Sequence, residues 1–247
     1  ENAVMKYGYA LEFADQSLKK DKEIVLKAVK QNGYALEFAD KELKKDLDIV
    51  TETINQNGYA LKHVCKDLKK NKKIVSKAIK NYCFALEYAD ESLKKDKEIV
   101  LEAINQYWYA LKHAHGDLKK DKSLVLQACK KNVFSFLYAD ESLKKDKEFI
   151  LKTIKQCSFG TFLDYINEDL KKDREVILAA VKQWGTSLQF ANDKFKKDKE
   201  IVLCAVKQYV EALQFADQSL KEDKKFIIEI IKTNSNAFKF IDESLKQ

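Results

Sequence analysis

The chain has 247 residues, of which 45% are hydrophobic and 34% are charged, and it carries a formal net charge of +7. The hydrophobic fraction is large enough for a continuous core, whereas 46 basic against 39 acidic residues is too mild an excess to indicate nucleic-acid binding by itself. No apolar run approaches the length of a membrane span and no signal peptide is visible, so we expect neither.

One short motif recurs along the chain. It reads Leu-Lys-Lys-Asp-Lys-Glu-Ile-Val at 18–25, and it returns at 43–50, 68–75, 93–100, 118–125, 143–150, 170–177, 195–202 and 220–227. The spacing is 25 residues, except for 27 between Leu143 and Leu170. A fixed short period indicates a repeat array rather than one or two globular domains. We therefore expect one continuous array over 1–247, and, since both ends cut the pattern in mid-unit, a segment of a longer one.

Each unit predicts two short helices. In the first complete unit, Asp21 is a good N-cap, and one helical face then carries Ile24, Val25, Ala28 and Val29. Asn32-Gly33 is a turn signal, and the second helix follows with Ala35, Leu36, Ala39 and Leu43. Helices of ~10–12 residues are too short to be stable alone, so they must stack on their neighbours. The expected fold is an all-α, right- or left-handed α-solenoid of short helix-turn-helix repeats, about 25 residues per unit.

One unit, near 156–170, departs from the pattern. Two residues are inserted around Gln156–Gly160, and Phe162 and Ile166 stand where other units carry small residues. The column that holds Tyr or Phe at its earlier positions also ends here, with Thr161. This irregularity predicts a local change of twist or a kink.

The five cysteines, at 65, 83, 129, 157 and 204, occupy different positions within the repeat. A disulfide framework or a zinc site would need paired or clustered thiols. We therefore predict reduced core thiols, no metal and no cofactor, in the cytoplasm or another reducing intracellular compartment. Delivery into a cell as a secreted effector is an alternative.

The recurrent unit reads L-K-K-D-K-E-I-V-L-x-A-V-K-Q-N-G-Y-A-L-E-F-A-D-x-S-L, and it stands almost unaltered at 18–43 and, apart from Trp108, Lys112, His113 and His115, at 93–118. This unit, and the doublet of about 50 residues that it makes, resembles a tandem-repeat family catalogued as domain of unknown function 4116. The resemblance covers essentially the whole chain, with most departures after Cys157. It implies tandem helical repeats, and it implies no activity and no catalytic residues.

A lysine pair follows the leucine of most units and predicts a basic ladder along one edge of the array. Its candidate binding residues are Lys19, Lys44, Lys69, Lys94 and Lys119. An anionic partner such as nucleic acid, an acidic protein or a membrane surface is one interpretation. The other is that these lysines are solvated charges at the ends of helices, where cations complement the helix dipole, and this interpretation is favoured.

Two aromatic columns accompany the lysines. One column includes Phe13, Phe38, Tyr88 and Tyr138, and the other includes Tyr9, Tyr34, Tyr59, Phe84 and Tyr109. Aromatic residues beside lysines could stack bases. At a fixed helical spacing they more often fill the groove between repeats, which is the prediction here.

The three histidines are the sharpest deviations from the repeat. His63 and His113 replace aromatic residues, and each follows a lysine, Lys62 or Lys112. His113 and His115 are two residues apart, which points them to different helix faces and makes a poor metal pair. Lys62, His63, Lys112, His113 and His115 are instead candidates for a basic patch that would strengthen as pH falls.

No arrangement of residues looks catalytic, because the carboxylates recur in every unit whereas an active site normally breaks a repeat once. We therefore predict a non-enzymatic α-solenoid that acts as a protein-interaction or scaffold surface, with a protein partner. Two alternatives stay open, namely nucleic-acid or polyanion binding through the lysine ladder and a structural component of a larger repeat assembly.

Overall fold

A computed structural model of the chain describes residues 2–157 and 160–240. Over these residues the chain is helical and contains no strand, which confirms the prediction of an all-α protein. It divides into two compact units, residues 1–128 and 129–247, and the boundary falls inside the helix Lys122–Lys131.

The repeating structural element is a ten-residue α-helix, followed by a six-residue 3-10 helix and then a short helical turn. The ten-residue helices within the described residues are Lys22–Gln31, Leu47–Gln56, Lys72–Asn81, Lys97–Gln106, Lys122–Lys131, Lys147–Gln156, Arg174–Gln183, Lys199–Gln208 and Lys224–Thr233. The 3-10 helices are Gly8–Phe13, Gly33–Phe38, Gly58–His63, Cys83–Tyr88, Trp108–His113, Val133–Tyr138, Gly160–Tyr165, Gly185–Phe190, Val210–Phe215 and Ser235–Phe240. The turns are Gln16–Lys20, Leu43–Lys45, Leu68–Lys70, Glu91–Lys94, Gly116–Lys119, Glu141–Lys144, Leu170–Lys172, Asp193–Lys196 and Gln218–Lys221, and a five-residue helix, Asn2–Lys6, precedes the first 3-10 helix.

The ten-residue helix forms where its local signals predict it. The Asp21 carboxylate accepts hydrogen bonds from the backbone N–H groups of Glu23 and Ile24 at 2.9 and 3.1 Å. It thereby satisfies two of the donors that a helix N-terminus leaves without an intrahelical partner. The apolar face that follows is buried, with Ile24 5% exposed and Val25 fully buried. The predicted N-cap and core face are both confirmed.

The prediction of a single second helix is wrong, because the chain breaks at Ala39. This residue has extended backbone, with φ −68° and ψ 154°. The N–H of Asp40 therefore leaves the local helix and donates to the carbonyl of Lys19 in the preceding unit, at 2.9 Å. The Asp40 side chain then accepts from the N–H of Glu42 at 3.0 Å and starts the next turn. Asp15 and Asp90 cap their turns in the same way, so these carboxylates have a structural role.

In the first unit, the core lies between the ten-residue helices and the 3-10 helices. Small residues there are buried as the repeat predicts, and Ala35, Ala60, Ala85 and Ala110 are all fully buried. Gly58 shows how close the backbones approach, since a Cβ atom at this position would lie 2.2 Å from the carbonyl oxygen of Ala78. Gly58 has no positive φ angle, so this position requires glycine for close approach rather than for backbone conformation.

In the second unit, larger side chains fill part of the core. The Phe136 ring lies 4.8 Å from that of Phe162 and 6.4 Å from that of Phe149, measured between centroids, and all three rings are buried. Phe162 therefore occupies space that a small residue leaves in other repeats. Ser158 and Phe159, in the predicted irregular unit, lie outside the described residues, as does Leu245, where a tenth copy of the motif was expected. The predicted kink stays a prediction.

Ion pairs join the N-termini of successive ten-residue helices. The first residue of one helix reaches the capping Asp of the next, and the pairs are Lys22–Asp46, Lys72–Asp96, Lys97–Asp121, Lys147–Asp173, Arg174–Asp198 and Lys199–Asp223, at 2.6–3.3 Å. At one joint both partners differ, since Leu47 replaces the cation and Asn71 replaces the acid. Leu47 is 57% exposed.

Candidate binding surface

The first lysine of a pair bends back onto the preceding 3-10 helix. The ammonium groups of Lys19, Lys44, Lys69 and Lys119 donate to the carbonyl oxygens of the residues seven positions earlier, at 2.7–2.8 Å. Lys94 bonds Glu91 instead, at 2.9 Å. These carbonyls lie at the end of a helical segment, where a cation satisfies acceptors that the helix leaves open. The five candidate lysines are thus all engaged within their own repeats.

Burial distinguishes the two lysines of each pair. Burial lowers the pKa of Lys44, Lys69 and Lys119, because a half-buried ammonium is less well hydrated. The second lysines are exposed, at positions 20, 45, 70, 95 and 120. Some of these form surface ion pairs, such as Lys45 with Glu42 at 3.0 Å. The exposed positive charge of the ladder therefore lies mainly on lysines that were not candidates.

His63 and His113 each lie in a half-buried site between rings and lysines. The His63 ring is 6.3 Å from that of Tyr34, and its Nε2 is 3.7 Å from a carboxylate oxygen of Glu37. Burial lowers the pKa of His63, and the charges of Lys62, Lys44 and Lys69 lower it further, while Glu37 opposes them. This site favours the neutral imidazole.

His113 repeats this arrangement two units later. Its ring is 6.2 Å from Phe84 and 6.0 Å from Tyr109. Burial lowers its pKa, as do the charges of three lysines, Lys112, Lys94 and Lys119, against the opposing carboxylate of Glu87. Lys112 itself donates to the hydroxyl of Tyr109 at 2.6 Å. The histidines thus form the centres of two local groups, each with its own lysines.

His115 has a different role and caps a helical turn. Its Nδ1 accepts the N–H of Asp117 at 3.2 Å, in the position that Asp15, Asp40 and Asp90 occupy in other repeats. The Asp117 carboxylate also lies 3.1 Å from this nitrogen. His115 is therefore the N-cap of Gly116–Lys119.

The two aromatic columns interlock from one repeat to the next. An aromatic side chain of one 3-10 helix packs edge to face on the ring of the following one, as in Tyr9–Phe38 at 5.0 Å and Tyr59–Tyr88 at 5.1 Å. The hydroxyls of Tyr59 and Tyr88 also bond at 2.6 Å. This contact and burial raise the pKa of Tyr88, with burial the larger cause. The prediction that the columns fill the groove between repeats holds for these pairs.

Two exposed tyrosines, Tyr82 and Tyr107, were not identified from the sequence. They follow directly after ten-residue helices, where Asn32 and Asn57 each accept a backbone N–H two residues later, at 3.0 and 2.9 Å. Tyr82 and Tyr107 make no such cap and are 39% and 44% exposed. The signal in the sequence is a column of asparagines, such as Asn32 and Asn57, that is broken by tyrosines at positions 82 and 107.

These tyrosines extend the interlocked rings to the surface. Tyr82 lies 5.6 Å from Tyr59 and 5.3 Å from Phe84, and Tyr107 lies 5.5 Å from both Phe84 and Trp108. We call the resulting set the aromatic surface, and it consists of Tyr59, Tyr82, Phe84, Tyr107, Trp108 and Tyr109. All six residues belong to the first unit, and His113 lies between two of these rings and its own lysines.

Three of the five cysteines, Cys83, Cys129 and Cys157, are buried. All five are free thiols, and burial raises the pKa of Cys83, that of Cys129 and that of Cys157, the last to about 11. Among the described residues, no group of three or more His, Cys, Asp and Glu side chains is arranged to hold a metal ion. In the same part of the chain, no helix is both long and apolar enough to cross a bilayer.

Comparison with known proteins gives a family match. The profile of the family described as Domain of unknown function (DUF4116) matches seven segments, most of which overlap a neighbour, at 1–44, 29–69, 71–120, 121–171, 157–196, 173–221 and 198–246. Neither the curated proteins nor the solved structures give a match. The matched segments follow the helical repeat from one end of the sequence to the other, and the chain therefore belongs to this family.

Proposed function

We propose that the chain is a non-enzymatic α-solenoid that binds a partner protein through the aromatic surface of its first unit. The fixed period of about 25 residues supports the solenoid, because short helices with one apolar face gain stability by stacking on neighbours. Its free thiols suit a reducing compartment. A regular scaffold of this kind is expected to place its recognition residues where the repeat varies.

The observation that carries this proposal is the exposure of Tyr82 and Tyr107 in place of a capping Asn. Loss of such a cap typically costs about 0.5–2 kcal/mol. Nothing in the repeat requires that cost, since Asn serves the position at Asn32 and Asn57. Tyrosine, in contrast, is enriched among the residues that dominate the energetics of protein interfaces. Exposed rings that replace a stabilising cap and also pack on further aromatic rings, as Tyr82 and Tyr107 do, are therefore best explained by contact with a partner.

A peptide-display library provides the test. Wild-type protein is expected to enrich a defined set of peptides. A variant with both Tyr82→Asn and Tyr107→Asn is expected not to enrich that set. Tyr209→Asn is the matched control, because Tyr209 has the same repeat position, is 44% exposed and lies in the second unit. Equal enrichment by the wild type and the double variant would contradict the proposal.

The second candidate function is polyanion binding, and the position of His63 and His113 between rings and lysines favours it. A surface with both aromatic side chains and lysines can stack bases and contact phosphates. The carbonyl contacts of Lys19, Lys44, Lys69 and Lys119 weigh against it, because those ammonium groups are already engaged. Binding of single-stranded RNA that falls steeply between low and moderate salt would support this candidate, whereas weak, salt-insensitive binding would refute it.

A further inference from the structure

In one part of the aromatic surface, two tyrosine rings share a contact with a single phenylalanine ring. The rings of Tyr82 and Tyr107 both contact Phe84, at centroid distances of 5.3 and 5.5 Å, and they are inclined to it by 65° and 78°. Phe84 is itself only partly buried. Two exposed tyrosines thus meet the ring of one phenylalanine edge to face. We call Tyr82, Phe84 and Tyr107 the aromatic slot.

The electrostatic surroundings of the slot include the negative ends of two helices. Tyr82 and Tyr107 are the C-cap residues of Lys72–Asn81 and Lys97–Gln106. A helix C-terminus carries a partial negative charge, which a basic residue in the last turn commonly offsets. The last turn of Lys97–Gln106 contains no basic residue. In Lys72–Asn81 the corresponding Lys80 lies 3.4 Å from Glu102.

A carboxylate adds to this negative potential. Glu87 is exposed, and it belongs to the same 3-10 helix as Phe84. The pKa of Tyr82 is raised, chiefly by burial and to a smaller extent by neighbouring groups that include Glu87. Aromatic faces, helix C-termini and a carboxylate all attract a cation.

We infer that the aromatic slot binds the guanidinium group of an arginine presented by an extended segment of the partner protein. A guanidinium is planar, weakly hydrated and able to stack on an aromatic face, which a compact ammonium does less well. A tyrosine hydroxyl can also accept a hydrogen bond from one of its N–H groups. This inference rests on the proposed function and assigns the chemistry of the partner at that surface.

Intrinsic fluorescence gives a direct test, because the chain has two tryptophans and Trp108 lies 5.5 Å from Tyr107. In a Trp184→Phe background, emission reports on Trp108 alone. We expect saturable titration by a Gly-Gly-Arg-Gly-Gly peptide and roughly 2- to 30-fold weaker binding of its citrulline isostere, which has the same shape without the charge. Tyr82→Asn with Tyr107→Asn should abolish the response, whereas Tyr209→Asn should leave it unchanged.

The variants should remain folded, since Asn is the capping residue at this position in other repeats. Circular dichroism and the thermal unfolding midpoint check this point. The inference is overturned if the citrulline peptide binds equally well, if no arginine peptide binds, or if the double variant binds unchanged. Preferential binding of a trimethyllysine peptide would also overturn the assignment to arginine.

The two proposals fail in different ways. If library peptides depend on Tyr82 and Tyr107 but carry no cation, the protein-binding function stands and the arginine assignment is wrong. If the arginine peptide binds the slot but no library peptide depends on it, the slot binds cations and the proposed protein interaction is wrong.

Discussion

Single side chains at one repeat position determine whether a joint is capped or carries an exposed ring. Asn57 carries no ring and accepts a backbone N–H, whereas Tyr82 contacts two rings and accepts none. A second repeat position also varies by single side chains, because histidine replaces the other aromatic residues of its column in two repeats. His63 and His113 keep ring contacts like those of Phe38 and Tyr88, and they add a group that titrates.

These histidines predict a loss of stability on acidification. Their pKa is lowered in the folded chain, chiefly by burial, so the unfolded chain takes up protons first as the pH falls below about its ordinary value of 6.5. Protonation therefore favours unfolding, and stability should fall from pH 7 toward pH 5. Urea denaturation across this range measures the effect.

A variant with His63→Phe and His113→Tyr, which restores residues of the same column, separates this effect from other titrations. It should show little change from pH 7 to pH 5. Capping aspartates such as Asp46 and Asp173 have a lowered pKa in the folded chain, mainly through their lysine partners, so both proteins should lose stability near and below pH 3.8. An identical slope above pH 5 in the two proteins would refute the histidine assignment.

At the scale of elements, the close approach of backbones sets the tolerance to substitution. Gly58→Ala places a Cβ atom 2.2 Å from the Ala78 carbonyl oxygen, so the 3-10 helix and the next long helix must move apart. We expect a loss of about 1–3 kcal/mol in the free energy of unfolding. Gly116→Ala is the matched control, since nothing lies within 4 Å of the added atom. Equal stability of the two variants would contradict the packing described here.

The series of ion pairs between successive long helices is interrupted at one joint. Restoring both partners there should make their effects on the free energy of unfolding depend on each other. Leu47→Lys and Asn71→Asp together restore the pair that Lys22 and Asp46 form one unit earlier. A double-mutant cycle should show favourable coupling between the two changes at low salt, because opposite charges are brought within contact distance. The coupling should disappear near 1 M salt, as expected for exposed charges. Additive effects at low salt would indicate that the joint does not align these positions.

The sequence was sufficient for the ten-residue helices but not for the segments between them. Asp21, Ile24 and Ala28 are local signals, and the cap and core face follow from them. The break at Ala39 depends on a bond between Asp40 and Lys19 of another unit, which no local pattern shows. The carbonyl contacts of the first lysines depend on that break. For the aromatic surface, the tyrosines were visible in the sequence, but their exposure and their distances from Phe84 were not.

At the scale of the whole molecule, the proposed α-solenoid predicts an extended particle in solution. A compact protein of this length has a radius of gyration of ~18 Å. Nine repeat spacings of about 8–10 Å would give a contour on the order of 70–90 Å, and hence a clearly larger radius. Small-angle X-ray scattering measures this quantity directly. A radius close to the compact value would contradict the solenoid and leave the all-helical repeat unchanged.

The lysine pairs have a consequence for chemical reactivity. Lys44 keeps its ammonium on the carbonyl of Glu37, 2.7 Å away, while Lys45 is exposed and paired only with a surface carboxylate. Adjacent residues of the same type therefore differ in access to an acylating reagent or a modifying enzyme. Modification of Lys45 would remove a surface charge, whereas modification of Lys44 would remove the group that closes a 3-10 helix. Acetylation one residue apart would thus alter solubility in one case and the integrity of a repeat in the other.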